Sequence, residues 1–117
     1  MDLLLLGVGE DAHVASLFPG NPGVYEDTAT VVAVHGSPKP PPVRVSLTFP
    51  AIRSAQQVWL LAAGTGKASA LRLALDKRAG EVQVPAAGAR GTRRTLVLVD
   101  EAAAALIPPG VARLASP

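Results

Sequence analysis

The sequence predicts an α/β domain in three layers, with a mainly parallel sheet flanked by helices. Three observations carry that expectation. Leu3–Leu6 is a continuous apolar run ended by Gly7 and Gly9, the pattern of a strand buried on both faces. Gln57–Ala63 is a second such run, and Gly64-Thr65-Gly66-Lys67 leads from it into a helical pattern. Thr95–Val99 is a third apolar, β-branched run, with Asp100 placed to cap a helix after it.

After the first strand, Glu10–Phe18 reads as a short helix with an acidic start, stopped by Pro19-Gly20, and residues 21–27 read as loop. Thr30–His35 reads as a second strand, and the proline tract Ser37–Pro42 forces an extended, stiff excursion because successive prolines fix φ. In Val43–Thr48, apolar Val43, Val45 and Leu47 alternate with Arg44, Ser46 and Thr48. That predicts a strand with the apolar set packed and Arg44 directed to water or a ligand. Pro50 starts a short helix through Ala55, and Gln57–Ala63 is the expected central strand. The next helix covers Ala68–Lys77, with Leu71 and Leu75 on one stripe. The Gly-, Ala- and Pro-rich residues 80–94 read as loop with an extended piece at Val82–Val84, and a last helix runs from Asp100 to Leu106 before Pro108-Pro109.

With 117 residues, 49% of them hydrophobic, the chain has the material for one modest core. Aromatic residues make up 3%, so platforms for stacking nucleic-acid bases are scarce and no nucleic-acid partner is expected. The net charge of +2 is scattered, without a polybasic block. The absence of cysteine excludes disulfides and thiolate catalysis and fits a cytoplasmic setting. Apolar stretches are broken well short of the ~20 residues of a membrane span. The first core strand comes with almost no lead-in, so an incomplete domain is expected.

Several motifs compete for a function. Gly7-Val8-Gly9-Glu10-Asp11-Ala12 approaches a dinucleotide fingerprint, but Pro19 and Pro22 cut the helix such a unit needs. Gly66-Lys67 resembles the end of a phosphate loop, but Leu61 and Ala68 stand where that motif requires glycine and Ser/Thr. With His13 and His35 the only imidazoles and no cysteine, no metal site is expected. His13 fits a structural histidine or a general base delivered at the carboxyl end of a strand, and Asp11 fits a helix cap or a partner of that ring. Arg44 fits a surface residue or a phosphate clamp; Lys67 fits a solvated lysine or an anion contact.

Four segments in this order, LLGVGEDAHVASLFPG at Leu5–Gly20, SPKPPPVRVSLTFPAI at Ser37–Ile52, AAGTGKA at Ala62–Ala68 and LVLVDEAAAAL at Leu96–Leu106, resemble the C-terminal half of the 6-phosphogluconolactonase family. That family lies within the wider glucosamine-6-phosphate isomerase and lactonase superfamily. The resemblance implies the Rossmann-like (NagB/RpiA-like) form of the fold, with residues 1–110 as its C-terminal half and 111–117 as a tail. It implies hydrolysis of 6-phospho-D-glucono-1,5-lactone to 6-phosphogluconate without a cofactor. His13 then corresponds to the base that activates water, and Arg44 and Lys67 correspond to cations that hold the 6-phosphate; Asp11, by its position two residues before, is the expected orienter of the histidine or the loop. The backbone of Gly7, Gly9 and Glu10 is a candidate for stabilising the oxyanion.

The family usually has glycine where this chain has Ala12, a position where φ > 0 or close substrate approach favours glycine. An amino-sugar phosphate isomerase or deaminase is the nearest rival, although Ser16–Gly20 matches the lactonase pattern. The other rival is an inactive sugar-phosphate-binding or interaction remnant. A missing N-terminal half, or self-association through an exposed sheet edge, supplies the expected partners beyond the lactone substrate.

Overall fold

β4 (Gln57–Ala62) is the middle of a three-stranded sheet, flanked by β1 (Leu3–Gly7) and β5 (Arg94–Val99). Both pairings are parallel, with Leu5 opposite Trp59 and Trp59 opposite Leu96. This computed structural model describes residues 1–110; the expected tail, 111–117, lies outside them. The fold is mixed α/β with a parallel sheet and helices, as the strand–glycine–helix units predict.

The alternation along each strand divides the sheet into two unlike faces. Leu6, Val58 and Leu60 are buried and join Leu17, Phe49, Ile52, Ala70 and Leu71 in the core. On the other face Leu3, Leu5, Leu61 and Leu98 are exposed, at 42%, 52%, 38% and 40%. The first strand is therefore covered on one face only, which corrects the expectation of burial on both. A continuous apolar run has the composition for two covered faces, and the described residues supply one cover.

β2 (Val31–Val34) and β3 (Arg44–Leu47) form a separate antiparallel pair rather than extending the parallel sheet. The expected packing of β3 is largely reversed: Val43 and Val45 are exposed, at 59% and 73%, whereas Ser46 and Thr48 are buried, and Leu47 alone turns inward as expected. The buried hydroxyls have partners, which is what makes their burial tolerable. Ser46 Oγ accepts from the Ser16 amide and donates to Leu47 O, while Thr48 Oγ1 donates to Ala29 O and accepts from the Ala51 amide. Thr48 thus caps α1 (Phe49–Ile52), which has Pro50 in its first turn and ends before Ala55.

The helices are short. α2 (Ala68–Ala74) comes after a 3₁₀ turn at Thr65–Lys67 and buries Ala68, Ala70, Leu71 and Ala74. Pro85 opens α3 (Pro85–Gly88) where loop was expected, and of the expected extended piece at Val82–Val84 the first two residues lie in a turn and Val84 is the residue before α3. Residues 101–106 form successive turns instead of a helix, although Asp100 does accept from the Ala103 amide as a cap would. Asp100 also accepts from the Gly64 amide at 3.1 Å, tying the end of β5 to the turn after β4. Among the described residues no helix is long and apolar enough to cross a membrane.

Candidate active site

No helix forms over residues 10–18. Ala12 and Ala15 have φ of +69° and +50°, and each left-handed residue breaks the helical path. The loop is held from both sides. Within it, the Gly9 amide donates to His13 O and the Ala12 amide to Gly9 O; from outside, the Ala86 amide donates to Ala12 O. Ala12, Val14, Leu17 and Phe18 are fully or almost fully buried under this loop. Position 12, where the resemblance leads one to expect glycine, has positive φ, and here an alanine adopts it.

The loop's best-defined feature is the Asp11–His13 pair. One carboxylate oxygen accepts from the His13 backbone amide at 3.1 Å and lies 2.6 Å from the ring Nδ1. Such a carboxylate holds the proton on Nδ1 and leaves Nε2 unprotonated in the neutral ring, so the outer nitrogen is the one able to accept a proton. Partial burial pushes the Asp11 carboxyl up, but its hydrogen bonds with the His13 ring and amide outweigh that and hold it below the ordinary value. Asp11 is thus a partner of the ring, with no helix to cap.

Gly9 is where it is because nothing larger fits. A Cβ at that position would fall 2.0 Å from His13 Nδ1 and 2.9 Å from Asp11 Oδ1. Gly66 plays a lesser version of the same part, its open side filled by the Glu10 carboxylate.

Gly7, Gly9 and His13 line one shallow hollow of about 380 Å³, and Lys67 and Lys39 line it with them. The expected residues Asp11, Glu10 and Arg44 are not among its walls. Arg44 instead turns into the proline loop: its Nε donates to Pro41 O at 3.0 Å and its Nη2 to Pro40 O at 2.6 Å and Lys39 O at 3.1 Å. The guanidinium also sits 5.5 Å from the Phe18 ring centre, and that ring lies 4.6 Å from the His13 ring. Phe18 is therefore the spacer between the imidazole and Arg44.

Phe18 and Lys39 do not stand out in the sequence. The available signal for Lys39 is its place between prolines at 38 and 40, which restricts its backbone. Among the described residues, no three or more His, Asp or Glu side chains gather as a metal site would require.

A family model described as glucosamine-6-phosphate isomerases/6-phosphogluconolactonase matches residues 1–98. A 6-phosphogluconolactonase of Streptomyces coelicolor is 66% identical over 107 residues, covering 92% of this chain and 41% of that protein. The 6-phosphogluconolactonase of Mycobacterium tuberculosis is 53% identical over 107 residues, 92% of this chain and 43% of its own length. Among solved structures, 6-phosphogluconolactonase from Trypanosoma brucei superposes with a TM-score of 0.76 at 31% identity, covering 90% of this chain and 41% of that one. The chain thus spans about two fifths of the length of the curated relatives it matches.

Proposed function

This chain belongs to the glucosamine-6-phosphate isomerase/6-phosphogluconolactonase family, and we propose that it carries the water-activating part of a 6-phosphogluconolactonase. The observation that supports this most directly is the Asp11–His13 pair at the edge of a hollow bordered by lysine.

In this reading His13 Nε2 takes a proton from water as the water oxygen attacks the lactone carbonyl carbon. The tetrahedral intermediate then collapses, the bond from that carbon to the ring oxygen breaks, and the imidazolium returns its proton to the departing oxygen. The products are the open-chain acid and free His13. Asp11 fixes the ring and stabilises the imidazolium. The Gly7–Glu10 backbone is the proposed oxyanion contact, within which the Gly9 amide is already committed to His13 O. Lys67 is the proposed contact to the phosphate, with Arg44 adding to the positive field on that side.

The work is proposed to take place in the cytoplasm. A polypeptide corresponding to the family's N-terminal half is the proposed cover for the open sheet face. The test is lactone hydrolysis by the purified chain, alone and mixed with that separately made half, with His13→Ala beside it. Hydrolysis that His13→Ala abolishes supports the reading. Consumption of an amino-sugar phosphate in place of the lactone would assign the isomerase or deaminase branch, and inactivity in both mixtures would leave a binding remnant.

A further inference from the structure

We propose that Lys39 is a direct phosphate contact, paired with Lys67 across the His13 hollow, and that Arg44 is a positioning residue acting through the proline loop that carries Lys39. This rests on the sugar-phosphate reading above and divides the labour among its cations.

Three observations lead to it. First, Lys39 and Lys67 both line the hollow that His13 borders, and no acidic side chain is among its walls. Among the described residues neither lysine has an ion-pair partner: the pairs present are His13–Asp11, Arg53–Glu81 and Arg78–Asp76. A phosphate dianion seated in a hollow lined by two lysines can pair with both ammonium groups.

Second, Lys39 is exposed, yet its backbone is pinned as few surface lysines are. Its carbonyl accepts from Ser37 Oγ at 2.7 Å and from Arg44 Nη2 at 3.1 Å, and its amide donates to Ser37 Oγ at 3.2 Å. The loop is closed by the Ser37 amide on Pro42 O, and Pro38 and Pro40 fix φ on either side. Little backbone freedom is left for ligand binding to remove, which is the condition for a surface cation to hold an anion at a set place.

Third, Arg44 donates through Nε and Nη2 to the carbonyls of residues 39, 40 and 41 and through Nη1 to Ser16 Oγ at 3.5 Å, with its Cζ 5.5 Å from the Phe18 ring centre. A guanidinium so engaged is a brace. Lysine, a point charge with a flexible stem, cannot span the same carbonyls.

The test is a titration of the isotope-labelled chain with 6-phosphogluconate, read from the His13 ring resonances and the amides of residues 7–9. Lys39→Ala is expected to weaken binding about tenfold and Lys39→Arg to keep most of it, while Lys77→Ala, which removes the same charge from an exposed site elsewhere, leaves it unchanged. Arg44→Ala is expected to lose about tenfold and Arg44→Lys to recover little. In the double variant the losses are expected not to multiply, because Arg44 works through Lys39.

A native chain whose His13 signals ignore 6-phosphogluconate both alone and mixed with the separately made N-terminal half would sink the lactonase reading and this proposal with it. A native chain that binds while Lys39→Ala binds equally well would overturn this proposal alone. Losses that multiply to about a hundredfold in Lys39→Ala/Arg44→Ala would make Arg44 an independent contact and overturn its positioning role.

Discussion

Gly9 and His13 share one volume: the space a side chain at Gly9 would need is filled by the imidazole, with Nδ1 2.0 Å from the position of the absent Cβ. Gly9→Ala therefore has to push the ring off its carboxylate partner. On the proposed lactonase reading, activity is expected to fall by about a hundredfold or more, the scale of positioned acid–base catalysis, with a stability loss of about 1–3 kcal/mol from overpacking. Activity and urea unfolding measured on the same preparation check this, and an active Gly9→Ala would show that the ring is free to sit elsewhere.

Asp11→Asn keeps the shape of the pair and removes its charge. An amide can still accept from Nδ1–H, but it stabilises the imidazolium less and equally well offers its NH₂ to the wrong tautomer. The expectation is a kcat lower by about a hundredfold with KM little changed. A kcat within twofold of native would remove Asp11 from the mechanism.

The same carboxyl sets a pH dependence of known sign. Its folded-state value lies below the ordinary 3.8, so the unfolded chain takes up the proton first. The stability it contributes is complete above that ordinary value and is lost as pH falls through the folded-state one. Carbon-13 titration of the Asp11 carboxyl should give a midpoint below 3.8, moving upward in His13→Ala because the ring's hydrogen bond is gone while burial remains.

Ala12 occupies left-handed backbone at φ +69° while fully buried. Ala12→Gly relieves about 1–2 kcal/mol of conformational strain but gives up a buried methyl and loosens the unfolded chain, so its net effect is expected within about 1 kcal/mol of zero. Ala12→Val adds a β-branched side chain in that region and is expected to cost at least about 3 kcal/mol. Denaturant midpoints of the two variants test the contrast.

The parallel sheet was legible because its signal is local. Leu3–Leu6, Gln57–Ala62 and Thr95–Val99 are apolar runs long enough for a strand and punctuated by glycine or aspartate. The loop over residues 10–18 was not legible, because alanine is the best helix former and nothing in its identity reveals that Ala12 and Ala15 are held at positive φ by contacts such as the Ala86 amide on Ala12 O. β3 misled for the reverse reason. Its apolar alternation points one way, while the hydroxyls of Ser46 and Thr48 find partners inside and carry the polar face inward. Of the candidate site, the spacing of Asp11 and His13 leaves a helix cap and a partner of the ring both open, and the 2.6 Å approach of Asp11 Oδ1 to Nδ1 decides between them. The roles of Phe18 and Lys39 depend on where a proline loop crosses a distant turn, and no local pattern encodes that.

The tilted contact of the Phe18 and His13 rings, 36° between planes, has a practical corollary. The circulating π electrons of the phenyl group displace the chemical shifts of the imidazole's carbon-bound protons. Those two lines, in a chain with one further histidine, form a built-in gauge of whether this pocket is assembled, with no label or dye attached.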